Sequence, residues 1–216
     1  MPEKITKREQ RIIEKQKKMQ KIKKIGICVV IVCIVVSLSV YVYITKPEPE
    51  KHNRTATIET NRGTIKIKLY EDKTPITTAN FISLAQSDFY NGTIFHRVAN
   101  LDPSAPDTHI IQGGGFTPDM QQKTSDQIPF EYDPELIHVD GAVAMASTDA
   151  KVGGTCQFYI CDGPQHFLDG NYAVFAQVIE GMDIVRNIAS VQTHTENGMG
   201  NVPVEDVIIT GVTISE

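Results

Sequence analysis

Residues 25–44, IGICVVIVCIVVSLSVYVYI, run for twenty positions without a charge. A helix of that length, at about 1.5 Å per residue, spans roughly 30 Å, the thickness of a bilayer's hydrocarbon core. No other feature constrains the chain so strongly. At 216 residues the protein is one ordinary domain with something attached, or two very small ones. A soluble domain of that size seldom buries a helix so uniformly apolar. Tyr41 and Tyr43 stand at one end of the run, where amphipathic rings favour the membrane interface. A cleaved leader is the rival reading. Against it, the run exceeds the usual apolar length of a leader, and no small-x-small site follows it closely. Neither Cys28 nor Cys33 follows a small residue, which argues against a lipid-modified cysteine. The run is read as a transmembrane helix.

Charge sets its direction. Residues 1–24 carry ten Lys/Arg against three Glu, a net +7, which leaves −12 for the rest of a chain whose total is −5. Seven Lys/Arg crowd 11–24, whereas only Lys46, Lys51 and Arg54 follow the run closely. The positive-inside rule then places 1–24 in the cytoplasm and everything after Ile44 outside, on a single-pass anchor in the cell membrane. The basic segment has a loose stripe of Ile5, Ile12, Ile13, Met19 and Ile22, suited either to anionic lipid or to a solvated helical extension. TKPEPEKHNR (45–54) is charged with alternating prolines, a stiff spacer. A globular domain is expected over 55–216.

Within that domain TIKIKLY (64–70) alternates, with Ile65, Ile67 and Leu69 on one face and Lys66, Lys68 and Tyr70 on the other. This is the pattern of a half-buried strand. TATIET (55–60) precedes it across Asn61-Arg62-Gly63, which predicts a hairpin. Thr74-Pro75 predicts a helix over 75–89, with Thr74 as N-cap and Thr78, Ile82, Ala85 and Phe89 on one face, stopped by Asn91-Gly92. The runs TIFHRV, HIIQGG, AVAMAS, CQFYI and YAVFAQVI follow. A second helix is expected in MDIVRNIASV (182–191) and a closing strand in VIITGVTI (207–214). Many short strands with two helices predict a mostly antiparallel barrel or sandwich, and the pattern does not choose between them. Cys156 and Cys161 are five residues apart. In a strand their Cα atoms stand roughly 16 Å apart, beyond the ~7 Å a disulfide spans, so they are two separate thiols.

The chain shows no nucleophile triad, P-loop or zinc-ligand spacing. GGG at 113–115 follows an apolar run, but no helix with Lys-Ser/Thr comes after it. What stands out is polar groups set in apolar strands: Arg97, Gln112 and Gln157. Singly, they read as a pair of ordinary hydrogen-bonding strand residues and a surface salt bridge.

In order along the chain come TIFHRV, QGGGF, GAVAMAS, CQFYI and FLDGNYAVFAQVIEGMDIV. Together they resemble the cyclophilin family of peptidyl-prolyl cis-trans isomerases over about 55–216. QGGGF…PDMQQK is similar to the branch common in bacteria and archaea. The resemblance implies a mainly β fold, an eight-stranded antiparallel barrel capped by two α-helices, here preceded by the transmembrane helix. It implies proline-containing polypeptides as substrates, no cofactor, no metal, no nucleic acid and a monomeric catalytic domain. Arg97 takes the catalytic position and Gln112 the position that orients the arginine and the substrate. Gln157 matches a second polar contact. Ile110, Tyr159 and Leu168 fall on the apolar socket for the proline ring. Met145 and Ala146 fall on the segment along the substrate backbone, with Ser147 where the family often has asparagine. Phe167 stands where tryptophan is common, and Tyr172 where histidine is. His109 and Tyr159 both replace socket phenylalanines, and the connection 98–108 between Arg97 and His109 is longer than usual.

An arginine suits this chemistry. Turning a peptide bond costs about 18–20 kcal/mol of lost resonance, and the twisted state returns a lone pair to the prolyl nitrogen. A permanently charged, forked donor aimed at that nitrogen favours the twisted state. The expected protein is a membrane-tethered prolyl isomerase acting on chains that fold outside the membrane. Two rivals remain. One is a low-turnover module or chaperone that binds proline segments through a modified socket. The other is a barrel used for assembly of a membrane complex.

Overall fold

Alternation in residues 55–69 is realised as β1 (Thr55–Thr60) and β2 (Gly63–Leu69), joined by a two-residue turn. Ile58 lies opposite Ile65 and Ala56 opposite Ile67, and all four side chains are fully buried. The computed structural model describes residues 19–21, which are helical, and 53–215. The helix expected at 25–44, the rest of segment 1–24 and the linker up to residue 52 lie outside the described residues. Among the described residues, no helix is long and apolar enough to cross a membrane. The chain divides into Met1–Glu50 and Lys51–Glu216, and the second unit carries the fold described below.

Six further strands complete the main sheet: β3 (Phe95–Ala99), β4 (His109–Gly113), β5 (Ala142–Met145), β6 (Phe158–Asp162), β7 (Val174–Glu180) and β10 (Ile209–Ile214). Their order is β10-β1-β2-β7-β5-β6-β4-β3, and every neighbouring pair is antiparallel. One sheet curls on itself rather than two sheets stacking. Its outermost strands meet, with Ile94 bridged to Ile208. Phe95 N–H donates to Val207 O at 2.9 Å, and Ile209 N–H to Thr93 O at 2.7 Å.

The concave side of the curl is the main core. Two α-helices cover it: α1 (Pro75–Gln86) packs Phe81, Ile82 and Ala85 inward, and α2 (Met182–Ala189) packs Val185 and Ile188. Phe81 is the hub. Its ring centroid lies 5.2 Å from Tyr90, 5.3 Å from Phe175 and 5.5 Å from Phe158, the last edge-on. Such tilted and edge-on contacts add to the area effect of burying each ring.

Helix α1 starts where Thr74-Pro75 predicts, but it is capped differently. Thr74 occupies the N-cap position while its hydroxyl donates back to Tyr70 O at 3.2 Å. The orphan N–H groups of Ile76 and Thr77 go instead to the Glu131 carboxylate, at 3.0 and 2.8 Å. A carboxylate also suits the positive end of the helix dipole. The helix ends at Gln86, three residues short of the expected 89, because Asp88 turns into the left-handed region at φ 56°. The sequence pattern also gave no sign of the small hairpin of β8 (Thr193–Glu196) and β9 (Met199–Pro203). Its strands are largely exposed and polar, so they lack the alternation that marks a buried face. Asn197-Gly198 makes its turn, with φ 50° and 81°.

Candidate active site

Arg97 reaches the outer face of the sheet through a bulge. Phe95 pairs with Gly113, but Arg97 pairs with Gln112, so His96 is an extra residue in β3. In regular alternation Phe95 and Arg97 would share a face. The bulge shifts the phase: Phe95 and Val98 point into the core, while Arg97 and Ala99 point outward. His96 is left almost fully buried, its ring centroid 4.6 Å from that of Phe116 and its Nδ1 without a partner. Burial, with a smaller push from Arg97, lowers its pKa to about 4, so the ring stays neutral near pH 7.

A line of amides holds the arginine. Arg97 Nη1 donates to Gln112 Oε1 at 3.3 Å, and Gln112 Nε2 donates to Gln157 Oε1 at 2.9 Å. Among the described residues Arg97 makes no ion pair, so its charge is not spent on a carboxylate. Glycine permits the arrangement. A Cβ on Gly115 would stand 2.4 Å from Gln157 Cγ, so any side chain there would displace the glutamine.

An apolar patch lies on the same outer face. Ala99, Ile110, Ala144, Tyr159, Leu168 and Val174 belong to one buried cluster separate from the main core, with Ala146 and Tyr172 packed against it. The rings of Tyr159 and Tyr172 meet edge-on at 6.2 Å. The fold thus brings together Arg97, Gln112, Gln157, Ile110, Ala146, Tyr159, Leu168 and Tyr172. Ser147 borders a neighbouring cleft of about 410 Å³ that Gln112, Ala146 and Gln157 also line. Its hydroxyl donates to Asp149 O at 2.8 Å. Phe167, on the 3-10 turn His166–Leu168, is 49% exposed. Met145 turns its side chain into the main core, so only its backbone is available outside.

His109 is not brought to the patch. β4 pairs with β6 without a break, His109 opposite Asp162 and Ile111 opposite Ile160. Alternation therefore sets His109 on the Ile111 face, away from Ile110 and Gln112. The long connection contributes instead. Asn100 Nδ2 donates to Ala105 O and Thr108 O, both at 2.8 Å, and Asp102 Oδ1 accepts from the N–H and hydroxyl of Ser104 at 2.9 and 2.6 Å. The loop is bonded to itself, and from its start Leu101 packs against the apolar cluster.

Two residues beside Tyr159 had no assigned role in the sequence. His138 is fully buried, with Nε2 2.9 Å from the Tyr159 hydroxyl and Nδ1 2.8 Å from Asp169 Oδ1. Burial lowers the His138 pKa, with Asp169 opposing. Burial works against the Asp169 carboxylate, but hydrogen bonds from His138 and His166 outweigh it and hold its pKa below the usual range. The only sequence signal for His138 is a polar residue between Ile137 and Val139. Asp169 lies within the quoted FLDG stretch.

Comparison with known proteins gives the family. The family profile described as cyclophilin type peptidyl-prolyl cis-trans isomerase/CLD matches residues 55–214. Peptidyl-prolyl cis-trans isomerase B of Escherichia coli is 43% identical over 169 residues, covering 74% of this chain and 99% of that one. A peptidyl-prolyl cis-trans isomerase of Acinetobacter baylyi is 42% identical over 168 residues, covering 75% and 86%. A Cryptosporidium parvum cyclophilin-type isomerase, solved in the presence of the dipeptide Ala-Pro, superposes with a TM-score of 0.60 at 25% identity, covering 75% of this chain and 99% of that one. With its residues 55–214 spanned by one profile and its bacterial relatives matched along most of their length, the chain belongs to the cyclophilin-type peptidyl-prolyl cis-trans isomerase family.

Proposed function

We propose that this isomerase seats a substrate proline ring on the patch of Ile110, Tyr159 and Leu168 while Arg97 stabilises the twisted X–Pro bond. The observation that carries the reading is an outward guanidinium, held by a neutral amide, beside an apolar cluster of the outer face. In the planar ground state the prolyl nitrogen lends its lone pair to the carbonyl. Twisting returns it, and an N–H of Arg97 then gains an acceptor that the ground state lacks. Only such differential binding lowers the barrier. Because Gln112 presents its oxygen to Arg97, its Nε2 faces Gln157 Oε1, and the Gln157 amide keeps its own Nε2 to donate to a substrate carbonyl. No proton moves in this scheme. NMR exchange spectroscopy on a short Ala-Pro peptide with the full-length protein tests it: added protein should speed cis-trans exchange catalytically.

A second reading, a module that holds proline segments with little turnover, draws on Tyr159, whose hydroxyl is engaged by His138 behind the patch. Peptide binding without faster exchange would select it. The proposal extends to location. The charge-free run 25–44 and its lopsided flanks support a membrane anchor with the catalytic domain outside, acting on extracytoplasmic chains. Protease added to intact cells should remove the domain and leave a small membrane-held fragment. A fully protected domain, or a mature N-terminus beyond Ile44, would count against it.

A further inference from the structure

Tyr159 is a nearly buried hydroxyl-bearing ring in an apolar cluster, and its hydroxyl is satisfied by one histidine. The His138 ring stacks on it, 5.9 Å between centroids at 11°. Behind His138, Asp169 Oδ1 accepts from both the backbone N–H at 2.7 Å and the ring Nδ1 at 2.8 Å. Its other oxygen lies 3.1 Å from His166 Nδ1, at the exposed end of the row. An ionised carboxylate only accepts, so Nδ1 of neutral His138 carries the proton and Nε2 offers a lone pair. The Tyr159 hydroxyl must then donate to Nε2. The row has one consistent direction, from Tyr159 to His138 to Asp169.

Isomerisation as read above needs no proton relay. The row does something else: it ties the Tyr159 hydroxyl to the stacked His138 ring. We infer that His138, its tautomer set by Asp169, is a positioning residue that locks the Tyr159 ring in the orientation in which it receives the proline ring. The inference rests on the isomerase reading for the identity of the ring's ligand. Its consequence falls on substrate capture, not on the twisting step, because Arg97 and Gln112 lie outside the row. Charge would disturb it. A protonated His138 donates from both nitrogens, so the Tyr159 hydroxyl would have to turn its own proton away. The groups facing His138 are Asp169 and His166 from the 3-10 turn and its end, and Tyr159 from β6. Cys161 and Tyr172 face the Tyr159 end of the row.

The test is a double-variant cycle in the full-length protein, read as KM and kcat for an Ala-Pro peptide, or as its Kd if there is no turnover. Tyr159→Phe leaves the His138 lone pair buried without a donor, and His138→Phe leaves the Tyr159 hydroxyl without an acceptor. Each should raise KM about three- to tenfold with kcat little changed. The double variant removes both polar groups and should recover most of the loss, since an unmatched partner costs more than an absent pair. Unchanged KM in both single variants, or a double variant that simply adds their effects, overturns the inference. Should a variant fail to fold, nitrogen NMR on the parent protein decides. His138 protonated on Nδ1, with an exchange-protected Tyr159 hydroxyl proton, supports the row; an Nε2-protonated ring refutes it. Absence of isomerase activity in the parent would defeat the functional reading alone, because the tautomer and the peptide Kd are measured without turnover.

Discussion

Replacing Arg97 with alanine separates catalysis from folding. In the folded protein this side chain makes one 3.3 Å hydrogen bond, to a neutral glutamine. A bond of that kind contributes about 0.5–1.5 kcal/mol net, and its length puts it at the low end. It is also partly exposed, so water can replace the lost donor at Gln112. Arg97→Ala should therefore unfold in urea within about 1 kcal/mol of the parent. The activity is another matter. If the guanidinium donates to the prolyl nitrogen only in the twisted state, the variant loses a charge-assisted hydrogen bond there, worth about 1.5–3 kcal/mol. At about 1.4 kcal/mol per tenfold, kcat/KM should fall roughly ten- to 150-fold. Arg97→Lys keeps the charge without the fork and should also be poor. NMR exchange on an Ala-Pro peptide gives the rate, and urea titration gives the stability. A folded Arg97→Ala protein that turns over within about twofold of the parent would refute the assigned mechanism.

Three other outcomes follow from particular contacts. Leu101→Ala should raise KM for proline peptides about two- to fivefold, since Leu101 packs against the patch, whereas His109→Phe should leave KM unchanged because His109 faces the other way. The opposite pattern would mean that the strand register misleads. Stability should fall on acidification between pH 6.5 and about 4, because an unfolded histidine takes up its proton near 6.5 and buried His96 not until about 4. The unfolded state binds more protons in that window, a loss of up to about 3 kcal/mol, and His96→Gln should flatten the pH–stability curve there. Glu131→Ala should cost about 1 kcal/mol in urea melts through the uncapped start of α1, and an unchanged midpoint would argue against that cap.

Local signals carried much of the fold. The clean alternation of Ile65, Ile67 and Leu69 marked β2, and Pro75 marked the start of α1, because each depends only on near neighbours in sequence. The pairing of Arg97, Gln112 and Gln157 became visible only as five weak motifs taken in order. What the sequence hid are features set by distant partners. The bulge at His96 depends on how β3 meets β4, and counting residues from Phe95 gives no warning that Arg97 changes sides. Position alone suggested that His109 lines the socket, but the register against Asp162 turns it away. Glu131 caps a helix more than fifty residues upstream. The Tyr159–His138–Asp169 row joins three separate segments, and no spacing rule links them.

The meeting of the outermost strands bears on aggregation. A prolyl isomerase handles extended polypeptide, the form that adds readily to any open sheet edge. Here the backbone groups of Thr93–Phe95 and Val207–Ile209 are already engaged with each other. An extended client finds no bare ladder at that seam to extend. That stretch of backbone therefore offers no template for the aggregation that unfolded chains invite.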